Sequence, residues 1–412
     1  MTQNLPAPLC AGQPRKTAAD QVSKVTKIDN HNLVTTRELA KLLRLQVTSL
    51  WEKKCPAALL PPLMVWGAPG LGKSSIIRDL AREHGVGFID IRLAQREPVD
   101  IRGLPVPDKD GVKWLVSSEW PRKPDSRGII LFDELTAADR SLQVAAYELI
   151  LDRRLGDLYT VPDGWYICAA GNRTEDRAVA TTMSSALANR FLHVELQGDV
   201  ECWIQWAIGH DVHPTVIGFL RARPELLFAQ KNENLERGWP SPRSWERASS
   251  MLKLVGKDDP RMLRSIVYGL IGNHAGVEFM AFLDVSDSLE DVLQAMLSPK
   301  SKISIPKKAD RTYAFCSAMV YHLWRGQDER REKTLLDGFF RLSQKLPSSF
   351  AAMSMIDAMG DSDAKAEKLF SHPQYRDWAA LHGAALKQRL RDGQTTAAKA
   401  DTDSSADADA GR

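Results

Sequence analysis

The chain is poor in cysteine, with five in 412 residues, and Cys10, Cys55, Cys168, Cys202 and Cys316 show no CxxC spacing. Scattered, odd-numbered thiols argue against a disulfide framework or a cysteine zinc site and fit a reducing compartment. No stretch reaches the ~18 apolar residues needed to cross a bilayer. Residues 1–27 lack a continuous apolar segment and are rich in polar residues, Pro and Gly, unlike a secretory signal. An excess of one charge is also missing, since 55 Lys and Arg stand against 52 Asp and Glu, a net +3. A whole-protein basic field for nucleic acid is therefore absent, while a local patch stays open. These absences lead us to expect a cytoplasmic protein with no membrane partner.

Apolar residues make up 43% and charged residues 26%, enough for a sizeable core. At about 150 residues per domain the length suggests two to three domains. Residues 1–27 and 391–412 read as disordered termini, and from Asp392 onward the only apolar side chains are alanines. Between them, five short apolar runs alternate with helical patterns. The runs are Leu63–Trp66, Val86–Ile91, Ile129–Phe132, Trp165–Ala170 and His193–Leu196. Such alternation predicts an α/β domain on a parallel sheet over 28–198. After Asp199 the spacing becomes helical, giving an expected helical unit at 199–298. A basic, Pro-containing stretch from Pro299 to Arg311 then leads into a helical extension that ends near residue 390.

Residues Gly67-Ala68-Pro69-Gly70-Leu71-Gly72-Lys73-Ser74 match GxxxxGK[ST] at every fixed position, with Ser75 following. An apolar run precedes them and an amphipathic helix follows. In that context glycines let backbone N–H groups close around phosphate oxygens, and the helix N-terminus adds partial positive charge. Lys73 is then expected on the β- and γ-phosphates, and Ser74 on Mg²⁺. Ile129-Ile130-Leu131-Phe132-Asp133-Glu134 is a buried strand ending in two carboxylates. Ligands bind at the carboxyl ends of parallel strands. Asp133 is placed to support Mg²⁺, and Glu134 to polarise an attacking water. No NKxD-like sequence is present to read guanine, so ATP is the expected nucleotide.

These elements resemble the AAA+ ATPases, and within them the MoxR-type or dynein-related branch. Trp165–Asn172 reads WYICAAGN, and the resemblance implies that Asn172 is the sensor-1 residue near the hydrolytic water. Ala186–Phe191 reads ALANRF, which implies that Arg190 is the arginine finger acting on a neighbouring subunit, with Arg173 and Arg177 as competitors. Trp239–Arg243 reads WPSPR, which implies that Arg243 is sensor 2 on a helical lid. The fold implied is a P-loop AAA+ parallel-sheet domain followed by a helical lid and a helical C-terminal extension. Two β-hairpin insertions are implied, around Trp114–Trp120 and Arg153–Trp165. The branch also implies a homo-oligomer, expected as a hexameric ring, and a von Willebrand factor A-type partner protein on which it acts as a chaperone-like remodeller.

A different class of function stays open. Residues 35–53 (TTRELAKLLRLQVTSLWEK) have leucine spacing that fits a helix-turn-helix, with Thr48, Ser49 and Lys53 toward DNA. Arg44 stands where the turn often has Gly, which favours one continuous helix ahead of the phosphate loop. A nucleic-acid motor or loader is the alternative function on that account.

Overall fold

The computed structural model describes residues 32–406 except 110, 174–182, 184, 230–236, 256–258, 286–288, 302 and 361. The terminus expected to be disordered, 1–27, lies outside them. The strands are β1 (Leu33–Val34), β2 (Leu63–Trp66), β3 (Gly87–Arg92), β4 (Leu104–Asp108), β5 (Gly111–Leu115), β6 (Gly128–Asp133), β7 (Arg154–Leu155), β8 (Tyr159–Thr160), β9 (Trp165–Gly171) and β10 (Leu192–Leu196). Six of them form one parallel sheet in the order β1-β10-β2-β9-β6-β3.

The sheet is covered on both faces, which is why its central strands β2, β9 and β6 are apolar without alternation. Leu63 and Val65 of β2, Ile129 and Leu131 of β6, and Tyr166 and Cys168 of β9 face Leu39, Leu43, Ile77 and Leu80 of the helices Thr36–Trp51 and Lys73–Glu83. The intervening Met64, Ile130, Phe132, Trp165 and Ile167 face Leu142, Ala145 and Leu149 on the other side. Burial pushes the Cys168 thiol far above its usual range, so it stays protonated and inert.

Thr36–Trp51 is a single helix. Thr35 and Glu38 cap it reciprocally, Glu38 N–H donating to Thr35 Oγ1 at 3.3 Å and Thr35 N–H to Glu38 Oε2 at 2.7 Å. Arg44 is in mid-helix and pairs with Glu83 on the neighbouring helix at 2.8 Å. The helix-turn-helix reading is thereby overturned, because Leu39, Leu43, Val47 and Leu50 form one buried stripe on the sheet, with no turn to break it. Both hairpins form. β4 and β5 pair antiparallel from Leu104–Leu115 to Asp108–Gly111, and β7 with β8 makes a two-residue ladder.

The fold class is the expected one in outline, an α/β domain on a six-stranded parallel sheet with a helical C-terminal part. Helices Val200–Gly209 to Asn273–Val285 surround Phe219, Trp245, Phe279 and Phe282. Helices from Leu289–Leu297 onward enclose a second core around Phe315, Phe339, Phe340 and Trp378, so Val292, Ala295 and Met296 pack with the C-terminal helices. The two cores meet closely. A Cβ on Gly218 would stand 2.8 Å from Ala314 Cα, so these helices touch backbone to backbone. Arg221 and Asp357 form an ion pair across that seam at 2.6 Å, both side chains 3% exposed. The last helix runs from Tyr375 to Ala406, through much of the expected tail, since repeated alanines carry high helix propensity. No helix among the described residues is long and apolar enough to cross a membrane.

Candidate functional site

The phosphate loop leaves the carboxyl end of β2 and enters the helix Lys73–Glu83 through Gly72, whose left-handed φ of 91° suits glycine. No side chain caps this helix, so its first-turn N–H groups remain for an anion. Ala68 and Lys73 are buried, whereas Ser75 is exposed. The Lys73 ammonium donates to Gly67 O at 2.6 Å, Ala68 O at 3.1 Å and Asn172 Oδ1 at 3.0 Å. It is thus folded back onto its own loop, 8% exposed, where a phosphate oxygen can replace those carbonyls.

Ser74 Oγ donates to Asp133 Oδ2 at 2.5 Å, joining the loop to the end of β6. Two hard oxygen donors so placed suit Mg²⁺, which when bound would neutralise phosphate charge. Asp133 Oδ1 accepts the Glu134 N–H at 2.9 Å. Glu134 has φ of 56°, a left-handed conformation that costs a non-glycine residue about 1–3 kcal/mol. That conformation turns the chain sharply after Asp133, so the two carboxylates do not simply alternate across a strand.

Asn172 follows β9, next to β2 and β6 in the sheet. Thr136, 2% exposed, holds it: Asn172 N–H donates to Thr136 Oγ1 at 3.1 Å, and that hydroxyl donates to Asn172 O at 3.3 Å. Sequence reasoning missed Thr136, since nothing in the residues after Glu134 marks this one as a bracket for Asn172. Arg173 pairs with Glu195 of β10. Arg177 lies outside the described residues.

Ser241-Pro242-Arg243 reaches the loop from the helical part. Arg243 N–H donates to Gly70 O at 3.3 Å. A Cβ on Gly70 would stand 3.0 Å from Ser241 Oγ, so only glycine allows this approach. Trp245 anchors the helix Pro242–Val255, its indole N–H donating to Leu226 O at 2.8 Å. The Arg243 side chain is exposed, with no hydrogen bond among the described residues.

Arg190 is not brought to this site. It precedes β10, whose Leu192 pairs with Leu63 at the start of β2, while the loop follows Trp66 at the other end. At ~3.3 Å per residue, β2 alone separates them by roughly 13 Å. Arg190 is exposed and lines a cavity of about 280 Å³ with Pro61, Pro62, Ile150 and Arg153.

No known family profile matches the chain. It is similar to Midasin of Giardia intestinalis, 24% identical over 257 residues, covering 59% of this chain and 5% of that protein's length. Among solved structures it resembles NtrX of Brucella abortus, at 15% identity and TM-score 0.33, covering 83% of this chain and 67% of that one. It also resembles a RuvB mutant of Thermotoga maritima, at 17% identity and TM-score 0.35, covering 64% and 76%. These likenesses are loose, and what the site can do follows from its own geometry.

Proposed function

We propose that this chain is an Mg²⁺-dependent, ATP-hydrolysing AAA+ protein of MoxR type that works as a homo-oligomeric, hexameric ring and remodels a partner protein, of von Willebrand factor A type. The observation that carries the ATPase reading is the set of contacts joining Lys73 to Asn172 and Ser74 to Asp133 at the mouth of the phosphate loop. In this reading Lys73 turns from the Gly67 carbonyl to the phosphates, and Glu134 draws a proton from the attacking water. Asn172 orients that water. Arg243 reports the γ-phosphate to the helical part through the contact at Gly70. Arg190 serves the next subunit, since it stands at the far end of its own sheet.

The remodelling role is supported by the β4–β5 hairpin, which exposes Leu104, Val112, Trp114 and Leu115. Apolar side chains clustered in water suit contact with protein. The nucleic-acid motor or loader rested chiefly on residues 35–53, and the folding of Thr36–Trp51 as one helix withdraws that support.

Lys73→Ala is expected to abolish tight binding of a fluorescent ATP analogue; wild-type affinity would sink the phosphate-loop reading. For the partner, Glu134→Gln is captured from its host with ATP present, with and without nuclease. A nuclease-resistant protein absent from the Lys73→Ala capture supports remodelling. Retained nucleic acid, or proteins lost to nuclease, restores the motor.

A further inference from the structure

His193 joins two parts of the molecule that the site leaves apart. Its ring lies between Trp66, stacked at 6.0 Å between centroids, and Phe191, tilted at 6.0 Å. Both ring nitrogens are engaged. Trp66 Nε1–H donates to His193 Nδ1 at 2.9 Å, and His193 Nε2 stands 2.7 Å from Ala188 O. An indole N–H can only donate and a carbonyl only accept, so the single ring proton is on Nε2. The two links come from different places. Trp66 is the last residue of β2, immediately before the phosphate loop. Ala188 ends the short helix Ser185–Ala188, and its carbonyl also takes the Phe191 N–H at 3.3 Å, closing the turn that carries Arg190.

The direction of the link argues against simple core filling. Trp66 is paired in register with Glu195, and His193 with Met64. The indole therefore reaches back along the sheet, from its carboxyl end toward its amino end. When Lys73 exchanges the Gly67 carbonyl for phosphate, the peptide next to Trp66 is freed, and any shift of the indole pulls on His193 and so on the turn of Arg190. A side chain with one polar atom could fill the same space but could not hold both ends.

We infer that His193 is a positioning residue that couples the phosphate loop to the Arg190 turn, so that the state of the nucleotide site in one subunit sets how Arg190 is presented to the next. The inference rests on the ATPase reading and on Arg190 acting in trans.

The test uses the full-length assembled protein, with ATP as substrate and single-turnover hydrolysis to follow slow rates. His193→Phe keeps the ring and removes both bonds. His193→Asn places an amide atom near Nδ1 and can keep only the Trp66 link. His193→Gln reaches the Nε2 position and can keep only the Ala188 link. A relay needs both links, so all three are expected to lose about 3- to 10-fold in kcat, as for one net hydrogen bond. KM for ATP is expected to stay within about twofold of wild type. His193→Phe combined with Arg190→Ala is expected to be no slower than Arg190→Ala alone, because both act on one group. If His193→Phe does not fold, the Asn and Gln variants and their doubles with Arg190→Ala carry the same reading.

Wild-type kcat in the three variants, graded losses that follow the number of bonds kept, or fully additive losses in the double would each overturn the coupling while leaving the ATPase reading intact. Arg190→Ala turning over like wild type, or a wild-type protein without turnover, would overturn the functional reading and the coupling with it.

Discussion

The two ends of the parallel sheet are built in opposite ways. At the carboxyl end, Lys73 with Asn172, Asn172 with Thr136, and Ser74 with Asp133 are held together at 2.5–3.3 Å. At the amino end, Arg190 is exposed beside an open cavity, and its guanidinium has no hydrogen bond or ion pair among the described residues. Its neighbour Arg153 is fully employed, donating to Pro162 O at 3.0 Å and Trp165 O at 2.9 Å, and burial lowers its pKa. The contrast teaches that the polar groups of one end are mutually held, while the guanidinium at the other end is not, as the proposed division between binding and subunit contact would need. Preorganised dipoles give catalysis without reorganisation at the moment of reaction. In the proposed ring, a guanidinium so placed gains its value when a second subunit supplies the phosphate.

Removing that guanidinium should break the contrast most sharply. Arg190→Ala is expected to keep ATP binding and lose about 10³–10⁵ in turnover. Phosphate release measured against protein concentration checks it, because a finger acting in trans makes the specific rate rise with assembly. A concentration-independent rate, unchanged by the substitution, removes Arg190 from the role.

Glu134→Gln strikes the opposite end. Loss of a general base is worth about 10²–10⁴ in rate, with nucleotide affinity retained. Should ATP affinity fall along with the rate, Glu134 is a binding residue and its left-handed backbone serves the loop instead.

A smaller effect concerns the helical part, which contributes Arg243 to the prepared end. Asp357→Ala would leave the Arg221 charge buried, at a cost of about 3–5 kcal/mol. Thermal unfolding should show the helical cores losing stability while nucleotide still protects the α/β domain. Equal loss in both parts would mean that the helices and the sheet unfold as one unit.

The strands and the phosphate-loop helix were legible because their signals are local. An apolar run of four to six residues, followed by glycines that permit left-handed backbone, specifies strand and loop whatever packs around it. Lys73, Ser74, Asp133 and Glu134 were legible for the same reason, since the first two open the helix directly after the glycines and the other two stand at the end of β6. The leucines of residues 35–53 misled in part, because spacing alone does not separate two short helices from one amphipathic helix until the sheet beneath is seen.

Thr136 and His193 were not legible. Each acts through a hydrogen bond to a residue far along the chain, Asn172 for one and Trp66 for the other. Local composition carries no trace of such a partner.

By itself, then, the sequence determined the proposed nucleotide site: which lysine, which hydroxyl, which carboxylates, and the sheet that presents them. Only the tertiary structure decided the distances between them and the placing of Arg190 at the opposite end of the sheet. It also decided the contact of Arg243 with Gly70 and the joining of the two helical cores by Arg221 and Asp357. The reason is physical. Backbone preferences and hydrophobic periodicity act over a few residues, whereas hydrogen bonds and ion pairs between distant segments exist only once burial has brought those segments together.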